Sequence, residues 1–104
     1  MKVKPSIAFV QLTLEYKEKL EQDKYIVKMC DFLREITPKW SKSQQNAMIN
    51  NILDLLVYVS LGCGIDTKDV YEYVTDFCRN NSIYQLRSNM CVRYGIITRL
   101  HNMK

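Results

Sequence analysis

The sequence predicts an all-α fold, mainly five helices in a compact bundle closed by a short C-terminal β-strand. Three observations carry that prediction. The chain has 104 residues, 47% hydrophobic and 25% charged, the composition of one ordinary globular domain. At this size about 60–70% of the unfolded surface is buried on folding, enough for one core but not two, so residues 1–104 are read as a single domain. Three Gly and two Pro leave too few turns for a sandwich or barrel and exclude a collagen-like or disordered chain. Finally, apolar residues recur mostly at spacings of three and four, the helical period.

Residues 6–20 carry two patterns. Val10, Leu12, Leu14 and Tyr16 alternate with Gln11, Thr13 and Glu15 as in a half-buried strand, whereas Phe9, Leu12, Tyr16 and Leu20 form a helical stripe. The Glu- and Lys-rich residues 15–21 favour helix, and no hairpin partner lies nearby. Next, Tyr25, Ile26, Met29, Phe32, Leu33 and Ile36 define an amphipathic helix. Pro38 ends it, because the residue before proline is pushed out of the α region.

Ser41 and Gln44 have capping-box spacing and open a third helix, running to about Leu61. Its first half bears Gln45, Asn46, Asn50 and Asn51. Its second half, residues 52–61, is apolar nearly all round except for Asp54 and Ser60. Such a helix belongs at the centre of a fold or in a subunit interface. Its excess of apolar surface, from Leu53, Leu55, Leu56, Val57, Val59 and Leu61, leads to the expectation of a homodimer, with the N-terminal helices (residues 6–36) completing the contact.

Gly62 and Gly64 break the third helix. Asp66 caps a fourth helix, Asp69 lies near its positive end, and Ile65 is placed to staple onto Val70. Val70, Tyr73, Val74 and Phe77 form its apolar stripe. Asn80 and Asn81 end it, and Ser82 caps a fifth helix with Ile83, Leu86, Met90 and Tyr94 on one face. Gly95 stops that helix, and residues 96–100 are β-prone.

Several function classes are excluded or disfavoured. No apolar run approaches the roughly 18–20 residues of a membrane span. The N-terminus lacks the apolar core of a secretory signal, so a cytoplasmic location is expected. Cys30, Cys63, Cys78 and Cys91 form no C-x-x-C pair, and the single His101 has no histidine partner. Reduced, metal-free thiols are expected, with no cofactor. Asp54-Leu55-Leu56-Val57-Tyr58 and Gly64-Ile65-Asp66 faintly resemble helical nucleotide pyrophosphatases, but Asn50 and Asn51 stand where magnesium-binding acids belong. There is no Gly-rich phosphate loop and no H-E-x-x-H, so no enzymatic activity is expected. The tyrosines are spread along the chain rather than laid on a sheet, which disfavours a single-stranded RNA platform.

Charge is distributed unevenly. Residues 1–76 carry ten Lys/Arg against eleven Asp/Glu, a balance of −1, while residues 77–104 carry Arg79, Arg87, Arg93, Arg99 and Lys104 and no acid, a balance of +5. A block of one sign is either a solvated face or the footprint of an anionic partner.

From Ser41 onward the order of elements resembles a winged helix-turn-helix domain. The stretches that carry the likeness are Ile65-Asp66-Thr67-Lys68-Asp69-Val70, Ser82-Ile83-Tyr84-Gln85-Leu86 and Tyr94-Gly95-Ile96-Ile97-Thr98-Arg99. They span roughly residues 41–101, within a helix-turn-helix-like unit of residues 41–104. Two features depart from the family: the helix expected over residues 67–80 is about a turn longer than the family's usual second helix, and one wing strand is expected where the family has a hairpin.

The resemblance implies a DNA-binding transcriptional regulator that inserts the helix over residues 82–94 into the major groove of double-stranded DNA. With Ile83, Leu86, Met90 and Tyr94 inward, Tyr84, Gln85, Ser88, Asn89 and Val92 face outward, flanked by Arg87 and Arg93. Amide and hydroxyl side chains suit base edges, and arginines suit phosphates. Ser82 at the helix start and Arg99 complete the expected DNA-binding set. In a homodimer the two recognition helices would lie about 34 Å apart, one DNA turn. The alternative is a small helical interaction or inhibitor module that binds a host or cognate protein, for which the seven tyrosines and the apolar third helix speak.

Overall fold

In the computed structural model, which describes residues 7–62 and 64–96, local hydrogen bonding places the helix boundaries close to where the sequence puts them. The first helix, α1 (Ile7–Gln22), resolves the ambiguous segment as helix. Its buried end is Leu20, while Val10, Leu12 and Leu14 stay exposed. Residues spaced by two on a helix are about 200° apart, so an alternating set cannot share one buried face.

The second helix, α2 (Lys24–Glu35), begins at Asp23. The Asp23 carboxylate accepts the backbone N–H of Tyr25 at 2.8 Å and of Ile26 at 3.2 Å. Its other oxygen accepts the Thr67 hydroxyl at 3.0 Å. One residue thereby caps α2 and ties it to the start of α4 (Thr67–Asn80). The two helices pack along each other, with the Tyr25 and Tyr71 rings 6.3 Å apart.

The capping box at the start of α3 (Lys42–Gly62) forms as expected. Gln44 N–H donates to Ser41 Oγ at 3.1 Å, and Ser41 N–H donates to Gln44 Oε1 at 3.0 Å. Gln45 joins this start to the end of α2: its amide donates to the Thr37 carbonyl at 2.8 Å and to the Arg34 carbonyl at 3.2 Å. Thr37 is buried and donates to the Leu33 carbonyl at 2.8 Å.

α3 is the central element and touches α1, α2 and α5 (Leu86–Arg93). Ile49, Ile52, Leu53, Leu55, Leu56, Val57 and Val59 are all buried within one chain. The apolar surface that led to the expectation of a homodimer is therefore covered largely by the protein's own helices. Ion pairing adds a surface tie, with Lys17 Nζ 3.1 Å from Asp54.

Asp66 caps α4 through the Lys68 N–H at 3.0 Å. Of the expected stripe, Val70 and Val74 are fully buried and Tyr73 and Phe77 partly so. The expected fifth helix is divided: Ile83–Gln85 form a 3-10 turn and α5 follows. Ser82 causes the tightening. Its hydroxyl accepts from the Tyr84 N–H at 3.3 Å, and its carbonyl takes the Gln85 N–H at 3.0 Å, an i to i+3 bond. Leu86 and Met90 bury the inner face of α5 against α3 and α4. Gly95, at φ +69°, ends the helix in the left-handed conformation that glycine adopts without a Cβ clash.

Among the described residues the fold is all-α. The expected β-strand reduces to Ile96 here, which is buried and not extended; its remaining residues, 97–100, lie outside the described residues. No helix among the described residues is long and apolar enough to cross a membrane.

Candidate nucleic-acid interface

The outer face of α5 is built from its inner one. Leu86 and Met90 fix the rotation of the helix in the core, so Gln85, Ser88, Asn89 and Val92 are turned to solvent, with Arg87 and Arg93 on opposite flanks. Ser82 is spent on capping the 3-10 turn. Asn89 uses one amide N–H on the Gln85 carbonyl at 2.9 Å. Its second N–H and its carbonyl remain available to a ligand. Arg99 lies outside the described residues.

The two flanking arginines differ. Arg93, half-exposed, is tied to α4: its guanidinium sits 3.3 Å from Asp69 Oδ1 and 4.6 Å above the Tyr73 ring. Tyr94 donates its hydroxyl to the same carboxylate at 3.4 Å. Burial works against the Arg93 charge, but the Tyr94 and Asp69 contacts outweigh it and raise its pKa. Burial, with the Asp69 charge, also raises the Tyr94 hydroxyl above the ordinary tyrosine range. Arg93 thus ties α5 to α4 through Asp69 and Tyr73, and its charge is paired.

Arg87 points the other way. It lines a cleft with Trp40, Met48, Asn51, Ile52, Ile83 and Tyr84. Tyr84 is 78% exposed, and its ring lies 5.6 Å from the Trp40 ring at an interplanar angle of 33°. Trp40 comes from the α2–α3 connection, between Lys39 and Lys42. The sequence reading missed Trp40, Lys39 and Lys42, because a contact between residues 40 and 84 leaves no local pattern.

A compositional signal was nevertheless present. Residues 36–53 contain no Asp or Glu, just as residues 77–104 contain none. These two acid-free stretches meet at the Trp40–Tyr84 contact. Among the described residues, Lys39, Lys42 and Arg87 have no carboxylate partner, whereas Lys17, Arg34, Arg79 and Arg93 each pair with an aspartate.

Other chemistry is weakly represented. Cys30, Cys78 and Cys91 are free and half-buried, and Cys63 and His101 lie outside the described residues. Burial raises the Cys30 thiol, with Arg34 opposing and Asp31 and Glu21 adding, and burial also raises Cys78. Both thiols are weak nucleophiles at neutral pH. Among the described residues no three His, Cys, Asp or Glu side chains group to hold a metal ion.

Among the described residues the fold is all-α, and the cleft at Trp40 and Tyr84 is lined without a carboxylate. No protein-family model matches the chain, and no curated protein or solved structure matches it. The likeness to winged helix-turn-helix domains rests on the sequence motifs alone.

Proposed function

We propose that the protein binds double-stranded DNA through the outer face of α5 and the adjoining α2–α3 connection. The observation that supports this reading is the meeting of the two acid-free stretches: Arg87 lines a cleft with Trp40 and Tyr84, and Arg87 and the chain neighbours of Trp40, Lys39 and Lys42, have no carboxylate partner among the described residues, while Gln85, Ser88 and Asn89 are exposed. Amides and hydroxyls read base edges, and cations hold the backbone. Regulation of transcription would follow from such binding. The reading does not require the homodimer, since α3 finds its cover within one chain.

Binding to random duplex DNA at two salt concentrations tests it. Three phosphate contacts at about 0.9 each give a slope of log K against log salt near −2.7, or about a 40-fold loss between 50 and 200 mM salt. Absence of binding at low salt would refute it.

A second reading, a module that binds an acidic face of a host or cognate protein, is favoured by the same cluster. Trp, Tyr and Arg are the side chains that dominate protein-interface energetics.

A further inference from the structure

Resting on the nucleic-acid reading of this face, we infer that the Trp40–Tyr84 pair is a stacking platform for an unpaired nucleobase. The protein then favours DNA in which the duplex opens over an intact duplex. Base stacking on aromatic rings is indifferent to sequence, because every base has a π-face, and it requires a base that has left its own stack.

Four features of the face carry the inference. The Tyr84 ring lies 5.6 Å from the Trp40 ring at a tilt of 33°, and at 78% exposure most of its surface is open to solvent. Among the described residues, neither the Trp40 indole N–H nor the Tyr84 hydroxyl has a hydrogen-bond partner, so both are free to meet a base edge or a phosphate. Lys39 and Lys42 flank Trp40 in the chain and Arg87, one helical turn beyond Tyr84, lines the same cleft as both rings, so each ring has cations near it in sequence. The floor of the cleft is Met48, Ile52 and Ile83, with Asn51 as a polar side chain at its wall. A flat ring fits such a floor while its phosphates reach the cations.

The cleft between α1, α2 and α3 offers no comparable fit. It contains Glu21 and Asp31 beside Arg34, and carboxylates repel a phosphate backbone.

Trp40 is the single tryptophan of the chain, so intrinsic fluorescence reports on the platform directly. The full-length protein is titrated with a short oligothymidylate, with an intact duplex and with a duplex carrying a single-stranded gap. The expected result is saturable quenching of Trp40 by oligothymidylate and by the gapped duplex. Tyr84→Ala should weaken oligothymidylate binding by about 5- to 150-fold, the range that stacking of one base gives. Its effect on intact-duplex binding should be clearly smaller than its effect on oligothymidylate binding. Tyr84→Phe keeps the ring and should retain binding, which separates stacking from any loss of the hydroxyl.

If intact duplex binds while Trp40 emission is unchanged by every probe, the platform is overturned and duplex binding stands. If no nucleic acid binds at low salt, both fall. Equal quenching by polyglutamate overturns the platform in favour of an acidic protein partner.

Discussion

Arg87 and Arg93 lie six residues apart on α5 and look equivalent on a helical wheel, so substituting each with alanine separates binding from stability. Arg93 pairs with Asp69 at 3.3 Å, with side chains 45% and 47% exposed, and lies 4.6 Å over Tyr73. A half-exposed pair is screened by solvent and contributes about 0.2–1 kcal/mol. The cation–π contact adds about 0.5–1 kcal/mol, so Arg93→Ala should cost roughly 1 kcal/mol. For a domain of this size that lowers Tm by about 4–8 °C. The salt slope of DNA binding should not move. Arg87 has no carboxylate partner among the described residues, and Arg87→Ala should leave stability within about 0.5 kcal/mol. On the proposed DNA-binding reading it removes one phosphate contact, which flattens the slope by about 0.9 and makes the affinity loss between 50 and 200 mM salt about 3.5-fold smaller. Thermal melts followed by circular dichroism and salt-series anisotropy with fluorescein-labelled duplex give the two readouts. Equal slope changes from both variants, with no change in Tm for Arg93→Ala, would refute the division of roles.

Three further outcomes follow from the packing. Leu86→Ala empties a buried site that fastens α5 and should cost about 2–5 kcal/mol in urea denaturation. Gln45→Ala removes the amide that joins α2 to α3, while the Thr37 and Arg34 carbonyls keep the Trp40 and Thr37 N–H donors; the same measurement should show a loss of about 0.5–1.5 kcal/mol. Raised thiol pKa values at Cys30 and Cys78 favour the neutral thiol in the folded state. Their stabilising effect is present below the unfolded cysteine pKa of about 8.5 and is lost as pH rises through the higher folded value. Iodoacetamide should therefore modify both thiols more slowly in the folded protein than in urea at pH about 8, and the urea midpoint should fall as pH rises above about 8.5.

Signals that act over three or four residues were legible in the sequence. Ser41 with Gln44, Asp66 before α4, and Gly95 after α5 each satisfy or end a helix by contacts with near neighbours. The rotation of α5 was legible too, because Leu86 and Met90 alone set it. What failed to show were the contacts that tertiary packing creates. Asp23 reads as an ordinary surface acid, yet its second oxygen takes the Thr67 hydroxyl from 44 residues away. Gln45 reads as the polar side of α3, yet its amide closes the end of α2. Trp40 and Tyr84 likewise meet across 44 residues of chain. In α1 the alternating pattern resembled a strand because Val10, Leu12 and Leu14 are not core residues at all; Leu14 remains 57% exposed.

The electrostatic argument changes most when the chain is folded. In the sequence, the footprint for an anion is the acid-free block after Asp76. In space, carboxylates of α4 reach into that block: Asp76 pairs with Arg79 at 3.4 Å and Asp69 with Arg93 at 3.3 Å. Of the basic residues in the described part of the block, Arg87 keeps an uncompensated charge. Its companions are Lys39 and Lys42, from a segment whose sequence charge had drawn no notice. A charge count along the chain locates neither a partner's phosphates nor a solvated surface until the ion pairs are subtracted. Among the described residues, subtraction leaves Lys19, Lys24, Lys28 and Lys68 on other parts of the chain, and Arg87, Lys39 and Lys42 on the two segments that meet at the Trp40–Tyr84 pair, so on the proposed reading the α2–α3 connection belongs to the binding face with α5. Lys39→Ala and Lys42→Ala should therefore each flatten the salt slope by about 0.9 as Arg87→Ala does, and a slope unchanged by either would return the footprint to the C-terminal block.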